Sequence, residues 1–292
     1  MSFLAQQLLW GAVLPGTITA VLLLMGWRAW RRDGVPVYWG TPVALAIGYL
    51  FAHWRIVGLP LSFPPSDSTA WLFVVAAVMA GWGVLEHVTN EQVRARARWR
   101  LLLVGVITWL VVRPLMGNVW QGVTGWLWWT GLTLGWWLWW TAQERIAERL
   151  PGLPVALVLS MTAGGGGFVL LWSNSSSLSQ LSGAVAAVSG VLVPLMLWRH
   201  NARVGAGAVA TVAGILGLIW VNAIAFVPVP VVRIIALAAA SLTPLVALIP
   251  AVRKRPAWAS AVACAVLTAV VLAVVMFPTY RAYVASASAY GY

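Results

Sequence analysis

Long apolar runs separated by brief polar breaks set the pattern of this chain. With charges, prolines and Ser/Asn clusters as punctuation, it divides into ten runs, at approximately 7–27, 38–59, 70–87, 100–119, 122–142, 152–172, 182–198, 204–226, 230–250 and 257–278. Each is close to the about 20 apolar residues a helix needs to cross a bilayer. Lipid cannot satisfy backbone N–H and C=O groups, so such runs are expected to be helical. The pattern therefore predicts an all-α fold, a polytopic integral membrane helix bundle of about ten transmembrane helices. Residues 1–292 are expected to form a single transmembrane domain without a soluble domain.

Ten spans divide into two sets of five, residues 1–150 and 151–292. An odd number per half gives the halves opposite orientations, so the count predicts an inverted repeat. The first run of one half contains Leu14-Pro15-Gly16-Thr17, and the first of the other contains Thr162-Ala163-Gly164-Gly165-Gly166-Gly167. Proline removes an intrahelical donor, and each glycine costs about 1 kcal/mol of helix propensity relative to alanine. Pro15, Gly16, Gly164, Gly165, Gly166 and Gly167 are expected to break their helices and line a cavity at mid-depth, because freed backbone in a membrane must face protein or water. Pro114 and Pro244 are a looser match in the fourth and ninth runs.

The fifth run, GWLWWTGLTLGWWLWW over Gly125 to Trp140, holds seven tryptophans in sixteen residues. At 100° per residue, Trp126, Trp129, Trp136, Trp137 and Trp140 fall in one stripe about 100° wide. The face between the tryptophans carries Gly131 and Gly135, a GxxxG that would let a neighbouring helix approach closely. The helix is thus expected to pack through Gly131 and Gly135 and to turn its tryptophan stripe to lipid. Trp136 to Trp140 sit beside Gln143 and Glu144, where an interfacial aromatic belt belongs. Trp126 and Trp129 lie deeper and would meet helices, lipid tails or a bound amphiphile.

Composition fixes the surroundings. Hydrophobic residues make up 62% of the chain and charged residues 8%, with a mean hydropathy of +0.89. Soluble domains carry roughly 25% charged residues. The net charge of +12 does not point to nucleic acid, because the arginines lie in short clusters between apolar runs. Fourteen of the eighteen basic residues fall in alternate connections, namely Arg28, Arg31, Arg32, Arg94, Arg96, Arg98, Arg100, Arg145, Arg149, Arg199, Arg203, Arg253, Lys254 and Arg255. The positive-inside rule then puts these connections in the cytosol and both termini on the other side of a bacterial inner membrane. The opening MSFLAQQLLW lacks a basic n-region and reads as a retained helix, not a signal peptide. Cys264 stands alone within an apolar run, which excludes a disulfide framework.

Candidate chemistry is sparse. All six acids fall in connections or at run ends, with Glu86 and His87 read as a solvated helix end. That placement weighs against proton- or sodium-coupled carriers, which need a carboxylate at mid-depth. Arg55, Arg113, Arg233 and Arg281 fall at similar outer heights, with His53 beside Arg55. Together they would form a ring for an anion, a lipid phosphate or a carboxylate. Gln143 through Arg149 reads as a self-paired interfacial turn, and Glu91 through Arg100 as a topology signal that would also meet anionic headgroups. No HExxH, P-loop or GxSxG occurs, and no spacing calls for a metal or cofactor. Three functions fit: a carrier or permease for a lipid, amphiphilic or anionic molecule; a non-catalytic membrane subunit or scaffold; and an enzyme on a lipid-linked substrate. The partners expected are membrane lipids and other membrane subunits, not nucleic acid.

Overall fold

The computed structural model describes residues 6, 8–29, 39–60, 62–65, 67–88, 93–198 and 202–289. Arg31, Arg32, Asp33, Glu91, Arg199 and His200 lie outside the described residues. Among the described residues every regular element is helical. In chain order these are α1 (Leu14–Ala29), α2 (Gly40–Ile56), α3 (Ala70–Val88), α4 (Val93–Asn118), α5 (Val123–Arg149), α6 (Gly152–Leu171) and α7 (Ser176–Gly190). There follow α8 (Leu192–Trp198), α9 (Ala206–Phe226), α10 (Val231–Ala240), the short α11 (Pro250–Arg253) and α12 (Ala257–Ala289).

Each of the ten apolar runs coincides with helix. Among the described residues seven segments are long and apolar enough to cross a membrane: Leu9–Gly26, Arg96–Asn118, Gly152–Leu171, Ser176–Trp198, Ala206–Phe226, Val231–Leu248 and Ala257–Ser286. Of the other three, α2 has 17 residues and α3 supplies a shorter apolar helix over Ala70–Glu86. Helix α5 has 27 residues, but its indoles and charged last turns dilute its hydropathy. The polar stretch SNSSSLSQLS, expected as a loop, is mostly helix, because the chain turns at Asn174 (φ 64°) and α7 begins at Ser176.

Helix α9 is the axis of the bundle, with every residue from Gly207 to Ala223 buried. It packs against α2, α3, α5 and α7. Small residues set how closely. A Cβ on Gly207 would lie 2.3 Å from the Gly83 carbonyl oxygen, and one on Gly217 would lie 2.1 Å from Trp136 Nε1. Around this axis α6 and α7 form a hairpin that α12 covers, α1 leans on α2, and α4 pairs with α5.

Three expectations about helix faces and breaks are corrected. Gly164, Gly165, Gly166 and Gly167 do not break α6, which runs unbroken from Gly152 to Leu171. Their missing side chains are replaced by neighbours: Leu272 would be 2.8 Å from a Cβ on Gly165, and the Ser179 carbonyl oxygen 3.1 Å from one on Gly167. Close packing against α7 and α12 offsets the lost propensity. Pro15 and Gly16 also lie within helix, although a π-helical turn over Leu9–Val13 precedes them. Proline withholds one N–H, and the wider turn takes up the mismatch.

The faces of α5 are reversed. Around Gly131 and Gly135 nothing lies within 4 Å of an added Cβ. Their neighbours Leu127 and Leu138 are 68% and 58% exposed. Trp136 and Trp140, expected to face lipid, are 4% and 0% exposed, and Trp129 and Trp137 are half-buried. Of the stripe, only Trp126 is largely open, at 54%.

Candidate functional site

The reversal of α5 follows from hydrogen bonding. Indole N–H groups in an apolar bundle need acceptors, and α5 finds them on its neighbours. Trp129 Nε1 donates to the Gly105 carbonyl (3.0 Å), Trp136 Nε1 to Ala213 (3.1 Å) and Trp137 Nε1 to Ala97 (2.7 Å). Trp139 Nε1 donates to Ser241 Oγ at 2.7 Å and its ring lies 4.5 Å from that of Trp220. Facing lipid, each of these donors would lack a partner. Trp126, by contrast, stacks on Trp109 with ring centres 5.4 Å apart, near the open surface.

One turn further along α5, Gln143 and Glu144 point to different neighbours, as consecutive residues about 100° apart must. Glu144 faces α4 and α3. There the Arg100 guanidinium bridges two carboxylates: Nε and Nη2 donate to Glu86 (2.5 and 2.7 Å), while Nη1 and Nη2 donate to Glu144, the latter at 2.7 Å. Arg96 Nη1 reaches Glu144 at 3.0 Å, and its Nη2 reaches Glu148 at 3.4 Å. Trp82 Nε1 donates to Glu86 at 2.7 Å, and the Trp140 ring lies 5.1 Å from the Arg100 guanidinium carbon. Arg100 and Glu144 are 0% exposed and Glu86 5%. Three carboxylates and two guanidiniums thus join α3, α4 and α5. Glu148, at the outer edge of this network, has its carboxyl raised above the ordinary range, first by burial and then by Glu144.

Gln143 faces the other way, onto a break in the ninth apolar run. Helix α10 ends at Ala240, and the chain resumes as a 3-10 helix over Thr243–Leu248. Pro244 is one cause, because it lacks the N–H that a regular helix would donate to the Ala240 carbonyl. Gln143 Nε2 donates to the Ser241 carbonyl (3.2 Å) and to Ser241 Oγ (2.5 Å). Ser241 Oγ in turn donates to Ala238 (2.6 Å), and Thr243 shares a 2.6 Å hydrogen bond with Thr268 of α12. The Gln143 carbonyl oxygen and the indole N–H groups of Trp140 and Trp220 are buried without a protein partner. Helix α5 therefore carries an ion network on one side and grips a broken span on the other.

Arg55, Arg113, Arg233 and Arg281, expected to form a ring, lie on four helices, α2, α4, α10 and α12. Arg55 lies over the Trp10 ring (3.8 Å) and Arg281 over Phe277 (5.8 Å), while Arg113 is exposed and Arg233 half-buried. His53 is fully buried, and its Nε2 lies 2.9 Å from the Thr69 carbonyl, where it ties the connection after α2 back onto that helix. Among the described residues no group of three or more His, Cys, Asp or Glu could hold a metal ion. A cleft lined by Leu23, Thr41, Met196, Arg203 and Ala208 offers only about 10 Å³, room for about one water.

Sequence reasoning missed Glu86, Arg100, Glu144, Gln143 and Ser241. The solvated helix end at Glu86 and the self-paired turn at Gln143 to Arg149 are both overturned, since Glu86, Gln143 and Glu144 are buried and bonded to other helices. One signal was legible. Glu144 and Glu148 stand one helical turn apart, as do Arg96 and Arg100, so each helix shows a stripe of one sign. No protein-family model, curated protein or solved structure matches the chain.

Proposed function

We propose that this multi-spanning membrane protein is a permease-like carrier of ten spans in a bacterial inner membrane. The reading places the basic connections in the cytosol and both termini outside. One observation carries it: an ion network whose Glu86, Arg100 and Glu144 are buried is tied through α5 to a broken span. Ionisable groups are costly inside a membrane and are kept there for function. Buried ion pairs are also weak as a source of stability, because desolvation offsets their attraction. Interrupted spans of carriers expose the backbone groups that hold a solute. The groups at the break are a hydroxyl, an amide, an indole and backbone carbonyls, so the solute class that fits is small, neutral and hydrogen-bonding. The five-plus-five inverted repeat remains part of the proposal, with α1 and α6 opening its halves.

Alternating access supplies the test. Cys264 is the sole cysteine, so Cys264→Ala gives a clean background for Ser241→Cys. A carrier exposes position 241 to a membrane-impermeant thiol reagent from at least one side, and its solute slows the labelling. A cysteine at 241 that stays unlabelled from both sides of intact and inverted vesicles rules the carrier out. A second reading, a non-catalytic subunit, is favoured by the open face around Gly131 and Gly135, since close-packing glycines suit a partner helix. It predicts that a bulky residue at Gly131 releases a co-purifying membrane chain.

A further inference from the structure

We propose that the network of Glu86, Arg96, Arg100, Glu144 and Glu148 is a proton-binding site, loaded with one proton from the basic end of the bundle through Glu148. It stands on the geometry of the network and does not need the carrier reading. Three carboxylates face two guanidiniums, so the fully ionised network keeps one uncompensated negative charge. An unpaired charge in a low-dielectric interior is costly, and the group tends to neutralise. One bound proton makes the network neutral.

Geometry says which carboxylate takes it. Glu86 is bonded by two Arg100 nitrogens and by Trp82. Glu144 is bonded by Arg100 and Arg96. Glu148 has a single 3.4 Å contact to Arg96, and its side chain is 37% exposed. It is the most loosely held acid and the one in reach of water. The charged groups acting on it are Arg96 and Arg100 on α4 and Glu144 and Arg149 on α5 itself. Arg203, ahead of α9, donates to the Glu148 backbone carbonyl at 2.9 Å. Burial and Glu144 raise the Glu148 carboxyl more than Arg96, Arg100 and Arg149 lower it.

The chemistry is proton transfer alone. A proton leaves a hydronium or buffer acid and forms an O–H bond on a Glu148 carboxylate oxygen, while no electron changes hands. Arg96, released from Glu148, then rests on Glu144. The Arg96–Glu148 contact is one of the ion pairs between α4 and α5, so loading the proton loosens that pairing, and the opposite side of the same end of α5 grips the break at Ser241. Proton loading is thereby linked to the hold on the broken span.

Infrared spectroscopy of the full chain in lipid tests this without any solute, so the result is independent of transport. Between about pH 8 and about pH 5.5, ordinary Asp and Glu side chains stay ionised. The wild type should gain a protonated-carboxyl C=O band equal to about one group per chain. Glu148→Gln and Glu86→Gln each leave two carboxylates against two guanidiniums, so either should abolish the band, while Asp67→Asn, outside the network, should leave it. The absence of a band in the wild type overturns the proposal even if no variant folds. So does a band that survives in Glu148→Gln, or one that disappears in Asp67→Asn.

Discussion

Arg100→Met removes the guanidinium from the network and keeps an apolar side chain of similar length. Arg100 bridges two enclosed carboxylates, so the variant strands both. Removing one partner of a buried ion pair costs about 3–5 kcal/mol. With two carboxylates orphaned, the upper part of that range is expected, against a total of about 5–15 kcal/mol for a folded domain. One kcal/mol moves the midpoint of a chain of this size by about 2–4 °C. The midpoint should therefore fall by about 8–20 °C, read in detergent from the fluorescence of the 21 tryptophans. A second construction separates charge from shape. Arg100→Met together with Glu86→Gln and Glu144→Gln has nothing left to neutralise, and Gln at 86 still accepts from Trp82. Neutral replacement of a whole buried network is often close to cost-free, so the triple variant should recover most of the loss. A fall below about 3 °C in the single variant refutes the reasoning. A triple variant no more stable than the single one refutes it equally.

Ser241→Ala should leave Trp139 Nε1 without its acceptor and Gln143 with only the backbone carbonyl, a cost of about 1–3 kcal/mol in thermal unfolding. An unchanged midpoint would show that α5 does not grip the break. Gly207→Ala should lose at least about 1–3 kcal/mol through overpacking against Gly83, whereas Gly131→Ala should stay within about 0.5 kcal/mol of wild type or gain slightly. Equal effects on the two midpoints would contradict the packing of α9. Glu148 has a folded carboxyl raised by burial, so the folded state holds its proton to higher pH than the unfolded chain. That stabilisation is full below the ordinary carboxylate value and is lost as pH rises through the raised one. Glu148→Gln should flatten the fall of the midpoint over this window, and an unaltered slope would assign the dependence to another group.

The positions of the helices were legible because backbone satisfaction in lipid leaves little choice: helix lies in each of the ten runs, and among the described residues seven segments are long and apolar enough to cross a membrane. The faces were not. In water, an apolar stripe marks the inside. In a bilayer, lipid tails and protein interior are equally apolar, so periodicity of hydrophobicity loses its meaning. For α5 the deciding property is the indole N–H, which turns the tryptophans toward carbonyls of α4 and α9 and leaves Gly131 and Gly135 outward. The four glycines of α6 mislead for a related reason. Propensity describes an isolated helix, and tertiary contacts with Leu272, Ser179 and Ser182 override it.

The charges were readable further than the net count suggested. Topology explains why arginines gather at one end, but it does not explain their spacing. Arg96 and Arg100 on one helix, and Glu144 and Glu148 on the next, each form a stripe of single sign that is repulsive on its own. Two such stripes on an antiparallel hairpin neutralise each other only in one register, in which numbers rise along α4 as they fall along α5. The observed pairs obey it: Arg96 meets Glu148 and Glu144, and Arg100 meets Glu144. The obstacle was the assumed start of the fourth run at residue 100. With the helix beginning at Val93, Arg100 lies two turns inside it and must find anions there. Glu86, near the C-terminal end of α3, is the second anion that geometry supplies. What sequence could not supply was the break at Ser241, because a proline in an apolar run states that a donor is missing without saying which neighbour will use the freed backbone.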